Sequence, residues 1–393
     1  MAESAIIARV LATALDVDAA AWNTLLAQQS HPTPFMRHEY LAALETSDSA
    51  TPRTGWAPRF MTLWEGDTLI AACPLYLKNH SYGEYVFDWA WASAYEQHGV
   101  PYYPKAVIAV PFTPVPGSRL LARDDAARAL LVQAVCQWCE DENVSSVHIL
   151  FASDDDVLTS AQQDLMLRHT VQFHWKNNQY SDFDHFLASL AQDKRKKIRQ
   201  ERRRVADAGV TFRWSRGADI SAADWDFFYR CYERTYLEHG NPPYLTRDFF
   251  ARMAAHMPEA WLLFVAERDG QPIASSLIAI SALPSSAGSQ KDQNIVAYGR
   301  YWGALERVDC LHFEACYYQP LQWCIEHDVI RFEGGAQGEH KMARALLPVQ
   351  ATSAHWLAHP AFADAVERFL QREGAGVAEY LSGLHERSPF KTA

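Results

Sequence analysis

Nowhere in the 393 residues is there an apolar run approaching the roughly 20 residues that a bilayer-crossing helix requires. The first residues, MAESAIIARVL, lack a basic stretch ahead of their apolar one, so no secretory signal is expected and the protein reads as cytoplasmic. Cysteines number seven, an odd count, and reduced thiols rather than a disulfide frame are expected. Cys136 and Cys139 form a CxxC, yet no second pair accompanies them and their flanks, ALLVQAVCQWCEDEN, have helical periodicity. Core packing is therefore expected there, and no metal centre. No G-x-S-x-G elbow, HExxH helix or Walker loop occurs, which removes three familiar signatures of covalent, zinc-dependent and nucleotide chemistry.

What the chain does contain is apolar and aromatic material: 49% of its residues are hydrophobic, with 13 Trp, 17 Tyr and 19 Phe. That is ample to build packed cores, and the length exceeds what one core usually serves. Two domains are expected, over residues 1–178 and 210–393, joined by a basic helix over 179–209. Net charge is −11, but residues 193–204, DKRKKIRQERRR, hold eight basic and two acidic side chains. A rod of that kind, Lys194 to Arg204, can steer a polyanion such as a tRNA acceptor end, coenzyme A, a nucleotide-linked precursor or an acidic headgroup.

Periodicity predicts the same order in both halves: strand, two helices, hairpin, strand, helix, strand, helix, strand. Residues 282–294, ALPSSAGSQKDQN, read as a hairpin tip rather than a site. The order is that of the GNAT acyltransferase fold. The blocks SYGEYVFDWAWASAYEQHGVPYYPK, PFTPVPGSRLL, HGNPPYLTRDFF, GRYWGA, LHFEACYYQ and FEGGAQGEHKMAR resemble the signature stretches of FemAB-like N-acyltransferases, a family associated with peptidoglycan biosynthesis or recognition. The resemblance implies a mixed α/β fold of tandem GNAT-like domains, each with a central sheet flanked by helices. It also implies amide-forming transfer of an acyl or aminoacyl group from an activated carrier to an amine, on a small-molecule or peptide acceptor such as a peptidoglycan precursor. No tightly bound cofactor is implied, acyl-CoA or aminoacyl-tRNA being donor substrates. Two other activities stay open: acyl-CoA-dependent N-acetylation of a small amine, and non-catalytic recognition of a peptidoglycan precursor or RNA.

The residues offer several candidates. RFEGGA, residues 331–336, fits the pyrophosphate loop of GNAT enzymes but lies one strand too late for it. Gly335 and Gly338 would still let backbone approach an anion at the start of a helix over 339–347, with Lys341 and Arg344 on one face. In LHFEACYY, Glu314 is expected among apolar neighbours as a proton acceptor, or else paired with Arg300; His312 is expected to face away from it. Residues 81–95 read as a strand, which would set Glu84 and Asp88 on one face roughly 13 Å apart, gripping an amine at separate points or paired with ordinary cations. Glu314, His340 and Glu84 are thus the proton-transfer candidates. Gly335, Gly338, Lys341 and Arg344 are the anion-binding ones, and Asp88, Tyr298, Arg300 and Tyr317 the substrate-binding ones.

Overall fold

The computed structural model describes residues 5–283, 294–335 and 338–391. Two compact units emerge, residues 1–170 with 350–379, and residues 171–349 with 380–393.

The first unit runs β1 (Ile6–Leu11), α1 (Ala19–Ala27), α2 (His38–Thr46), β2 (Ala57–Glu65), β3 (Thr68–Lys78), α3 (Trp89–Gln97), β4 (Lys105–Ile108), β5 (Leu121–Ala122), α4 (Asp125–Asp141), β6 (Ser146–Ala152) and α5 (Asp154–Gln162). Strand β7 (Met166–Lys176) carries the chain into the second unit. There follow α6 (Phe183–Ser189), α7 (Gln192–Asp207), β8 (Val210–Arg216), α8 (Ala222–Glu238), α9 (Arg247–His256), β9 (Trp261–Arg268), β10 (Gln271–Leu283), β11 (Asn294–Ala304), α10 (Leu311–Phe313), α11 (Gln319–Glu326) and β12 (Arg331–Glu333). Strand β13 (Leu347–Leu357) returns it, and α12 (Pro360–Glu386) closes the chain. The first unit follows the GNAT order that the periodicity predicts with α3 and β5 inserted, and the second follows it from β8 to β12 with an extra helical pair, α6 and α7, ahead of β8.

Local chemistry explains these elements. The β2–β3 hairpin turns at Gly66, whose φ of 59° suits a glycine, and its strands pair antiparallel from Ala57↔Leu77 to Glu65↔Thr68. Asp124, Ser153, Ser221 and Thr246 each cap a following helix by accepting a backbone N–H. In the first unit β3, β4 and β6 present Ile70, Leu75, Ile108 and Ile149 to Leu131 and Val135 of α4. In the second, Phe264, Ile278 and Phe332 of the sheet close over Leu321 and Ile325 of α11.

Four expectations change. Residues 350–379 pack with the first unit, because β13 pairs with β6 and Leu357, Val366 and Leu370 bury against Trp91 and Tyr95. The basic segment is no separate connector, since α7 turns Ile198, Glu201 and Val205 into the second unit. Residues 81–95 are a turn followed by α3 rather than a strand, for Gly83 (φ 81°) and Tyr85 (φ 62°) break the extended backbone. The helix expected over 339–347 is only a 3-10 turn, Glu339–Arg344, ended by Ala345 at φ 63°. The expected hairpin tip lies almost wholly outside the described residues, as does Ala336 of RFEGGA.

Candidate active site in the second unit

Strands β11 and β12 pair parallel over three positions only, Val296↔Arg331, Ala297↔Phe332 and Tyr298↔Glu333. Beyond them the strands part at two glycines that packing requires: a Cβ on Gly299 would stand 2.9 Å from the Phe332 ring, and one on Gly334 would stand 2.3 Å from Leu346. Just past the separation β11 bulges. Ile278 of β10 faces Gly299 while Leu277 faces Tyr301, leaving Arg300 as the extra residue. Bulges of this kind re-aim side chains beside functional sites.

A cavity of about 140 Å³ occupies the gap, walled by Arg300, Trp302, His312, Cys316, Tyr317 and Phe332. The helical wall exists because the chain between α10 and α11 is a π-turn, Glu314–Tyr318, a wider winding often found at functional sites. His312 of α10 and Cys316 of the π-turn, four apart, share the face that lines the cavity. Trp302 and Tyr317 stand edge-on to the His312 ring, with centroids 5.4 and 5.8 Å away. Burial, with help from the neighbouring His340, Arg344 and Lys341, pushes the His312 pKa down to about 4. The ring keeps accessible surface, so water in the open cavity softens that fall without reversing its direction. At neutral pH the imidazole is uncharged and can accept a proton.

Lys341 is buried, and its ammonium donates 3.1 Å to the carbonyl of Gly335, the residue after Gly334. No carboxylate pairs with it among the described residues, and desolvation lowers its pKa to about 8. His340, next to it, lies 3.4 Å from the Tyr317 hydroxyl, one step back from the cavity wall. Gly335 and Gly338, at φ 81° and 105°, shape the turn that holds both.

Other candidates stand elsewhere. Arg344, expected to hold an anion, is closed off: it forks onto Glu201 of α7 at 2.9 and 3.1 Å, donates 2.7 Å to the His340 carbonyl, and lies 3.5 Å over the Phe313 ring. Tyr318 donates to the same Glu201. Glu314 does not line the cavity. Its carboxylate meets Arg202 of α7 at 3.1 Å and Gln319 at 2.7 Å, so its partner is not the expected Arg300. Tyr298 is buried in β11, its hydroxyl pKa raised by desolvation. Arg300 and Tyr317 do line the cavity. His312, Cys316 and Trp302 were not among the expected site residues. The i,i+4 spacing of His312 and Cys316 was the available signal.

Glu84 and Asp88 belong to the first unit and form a separate cluster. Both reach the buried ammonium of Lys105, Glu84 at 2.7 Å, so the two carboxylates converge instead of standing apart. Tyr102 donates 2.6 Å to Asp88, and Lys78 lies 3.9 Å from Glu84 and 3.6 Å over the Trp56 ring. Burial pushes Glu84 up and Lys78 down. Asp88, though also desolvated, is held below the usual carboxylate range by Lys105.

Over residues 13–392 the sequence matches the FemAB-like family, described as peptidoglycan biosynthesis/recognition. The chain belongs to that family. It is a family of acyl- and aminoacyl-transferases. Solved structures share the fold of this FemAB-like chain. One is FemX, at 10% identity and a TM-score of 0.53, covering 91% of this chain and 100% of its own. Another is L-PGS from Bacillus licheniformis, at 11% identity and a TM-score of 0.52, covering 90% and 97%. No curated protein matches the sequence. Among the described residues no helix is long and apolar enough to cross a membrane, and no group of His, Cys, Asp and Glu is placed to hold a metal ion.

Proposed function

We propose that the cavity between β11 and β12 transfers an acyl or aminoacyl group from an activated ester carrier to an amine, forming an amide. The observation that carries this reading is that a base without a partner and a cation without a counter-charge both stand where the strands part. One is the neutral imidazole of His312, which lines the cavity without a hydrogen-bond partner among the described residues. The other is the buried ammonium of Lys341, which packs against Gly334 of the cavity wall and has no carboxylate to neutralise it among the described residues.

In this reading the acceptor amine attacks the ester carbonyl carbon, a C–N bond forms and the carrier C–O bond breaks. His312 takes the proton lost by the amine and returns it to the departing carrier oxygen. The Lys341 ammonium faces the charge that develops on the carbonyl oxygen, where a desolvated cation acts most strongly. Helix α7 supports a polyanionic carrier. Its Lys196, Lys197, Arg203 and Arg204 are exposed and form no ion pair among the described residues, which favours an aminoacylated nucleic acid over a small carrier.

The test presents the purified protein with a UDP-linked peptidoglycan precursor bearing a free amine, and with either aminoacyl-tRNA or acetyl-CoA, and reads the product mass. Amide formed from the tRNA ester, and lost in His312→Gln and Lys341→Met, is the expected result. Product from acetyl-CoA alone would reassign the donor. No product with either donor, from protein of intact fold, would sink the reading.

A further inference from the structure

We propose that a groove at the β8 edge of the second unit binds a saccharide. The groove has a volume of about 550 Å³ and shares no residue with the cavity between β11 and β12. That volume is within the roughly 300–1,000 Å³ of small-molecule sites. Strand β8 is the last in its sheet, and it offers Trp214, which is 47% exposed, beside Arg216. Across the groove, Trp323 and His327 of the α11 end stack at 4.0 Å, and Trp214 stands edge-on to both, at 6.0 and 5.6 Å.

Polar groups with no other task border this aromatic surface. Neither the Arg216 guanidinium nor the Asp219 carboxylate makes a hydrogen bond or ion pair among the described residues; Arg216 only overlies the Trp323 ring at 5.8 Å. The Trp323 indole N–H is buried without a hydrogen-bond partner among the described residues, so the aromatic surface open to a ligand is that of Trp214. His327 Nδ1 lies 2.8 Å from the Trp323 carbonyl, which puts the proton on Nδ1 and leaves Nε2 an acceptor when the ring is neutral.

One accessible aromatic face, bordered by a donor fork, a carboxylate and an imidazole acceptor, matches a pyranose: an apolar ring face rimmed by hydroxyls that both donate and accept. A nucleobase fits less well. It would be held best between two parallel rings, whereas Trp214 lies at 78° to Trp323 and at 90° to His327.

The probe is the β-1,4-linked tetramer of N-acetylglucosamine, titrated into the full chain by calorimetry. Binding is expected, weakened about tenfold or more in Trp214→Ala and in Arg216→Ala, and unchanged in Trp89→Ala, an exposed tryptophan of the first unit. Arg216 is exposed, so its variant keeps the test intact if the tryptophan variant misfolds. Absence of binding at millimolar tetramer, undiminished affinity in both groove variants, or preference for uridine monophosphate at the same residues would each overturn the assignment. The variants leave His312 and Lys341 in place, so transfer activity is unaffected and failure of this proposal is distinct from failure of the transfer reading.

Discussion

At the scale of single residues, His312 and Lys105 stand in opposite surroundings, the first exposed beside the cavity and the second fully buried. His312 has no hydrogen-bond partner among the described residues and a pKa below its usual 6.5, so the base-competent form persists as pH falls through the ordinary histidine range. Initial transfer rates, once divided by the neutral fraction of the acceptor amine, should stay level from pH 7 to pH 6 and decline only on the acid side of that range. An acid limb centred at or above 6.5 would remove His312 as the base. His312→Gln should lower kcat/KM by about 10²–10⁴, with its unfolding midpoint little changed. Lys105, by contrast, is a structural cation whose removal strands Glu84 and Asp88 as buried carboxylates. Lys105→Met should cost about 3–5 kcal/mol in urea unfolding, and adding Glu84→Gln and Asp88→Asn should restore much of it. If the triple variant is no more stable than the single one, the cluster is held together by something other than these charges.

At the scale of elements, α7 has two faces with different duties. Ile198, Glu201 and Val205 are buried, and Glu201 pins Arg344 and so the turn that presents Lys341. Lys196, Lys197, Arg203 and Arg204 project to solvent. Changing those four to Gln should leave folding intact and weaken tRNA binding. It should also flatten the dependence of log affinity on log salt by up to about three units, at roughly 0.7–0.9 for each phosphate no longer neutralised. An unchanged slope would mean that the polyanion docks elsewhere. The basic face was legible in the composition of residues 193–204, as the GNAT order was in the periodicity. What was not legible was winding. LHFEACYY reads as one regular helix with Glu314 among apolar neighbours, whereas the chain widens into a π-turn from Glu314 and that carboxylate goes to Arg202, leaving His312 and Cys316, which share a face in either winding, at the cavity. Likewise the alternation in residues 81–95 suits a strand until Gly83 and Tyr85 take positive φ, a choice made by the buried Lys105 cluster rather than by the local pattern.

At the scale of the whole molecule, the two units are not consecutive in sequence, and no local signal could say so, because pairing between distant strands is decided by the sheet they complete. Residues 352–357 of β13 pair with β6, and Leu357, Val366 and Leu370 seal the cluster around Trp91, Tyr95 and Tyr102. The first unit is therefore finished only by residues synthesised after nearly all of the second. A chain ending at residue 349 leaves the β6 edge unpaired and that cluster open; it also takes Leu384 and the rest of 380–393 from the second unit, but every strand pairing from β8 through β12 remains. Hydrogen exchange on such a truncation should show protection lost across β4 and β6 and retained across β9 to β11. Loss of protection across β9 to β11 with β4 and β6 still protected would contradict the division, and would place the folding dependence of the chain on the second unit instead of the first.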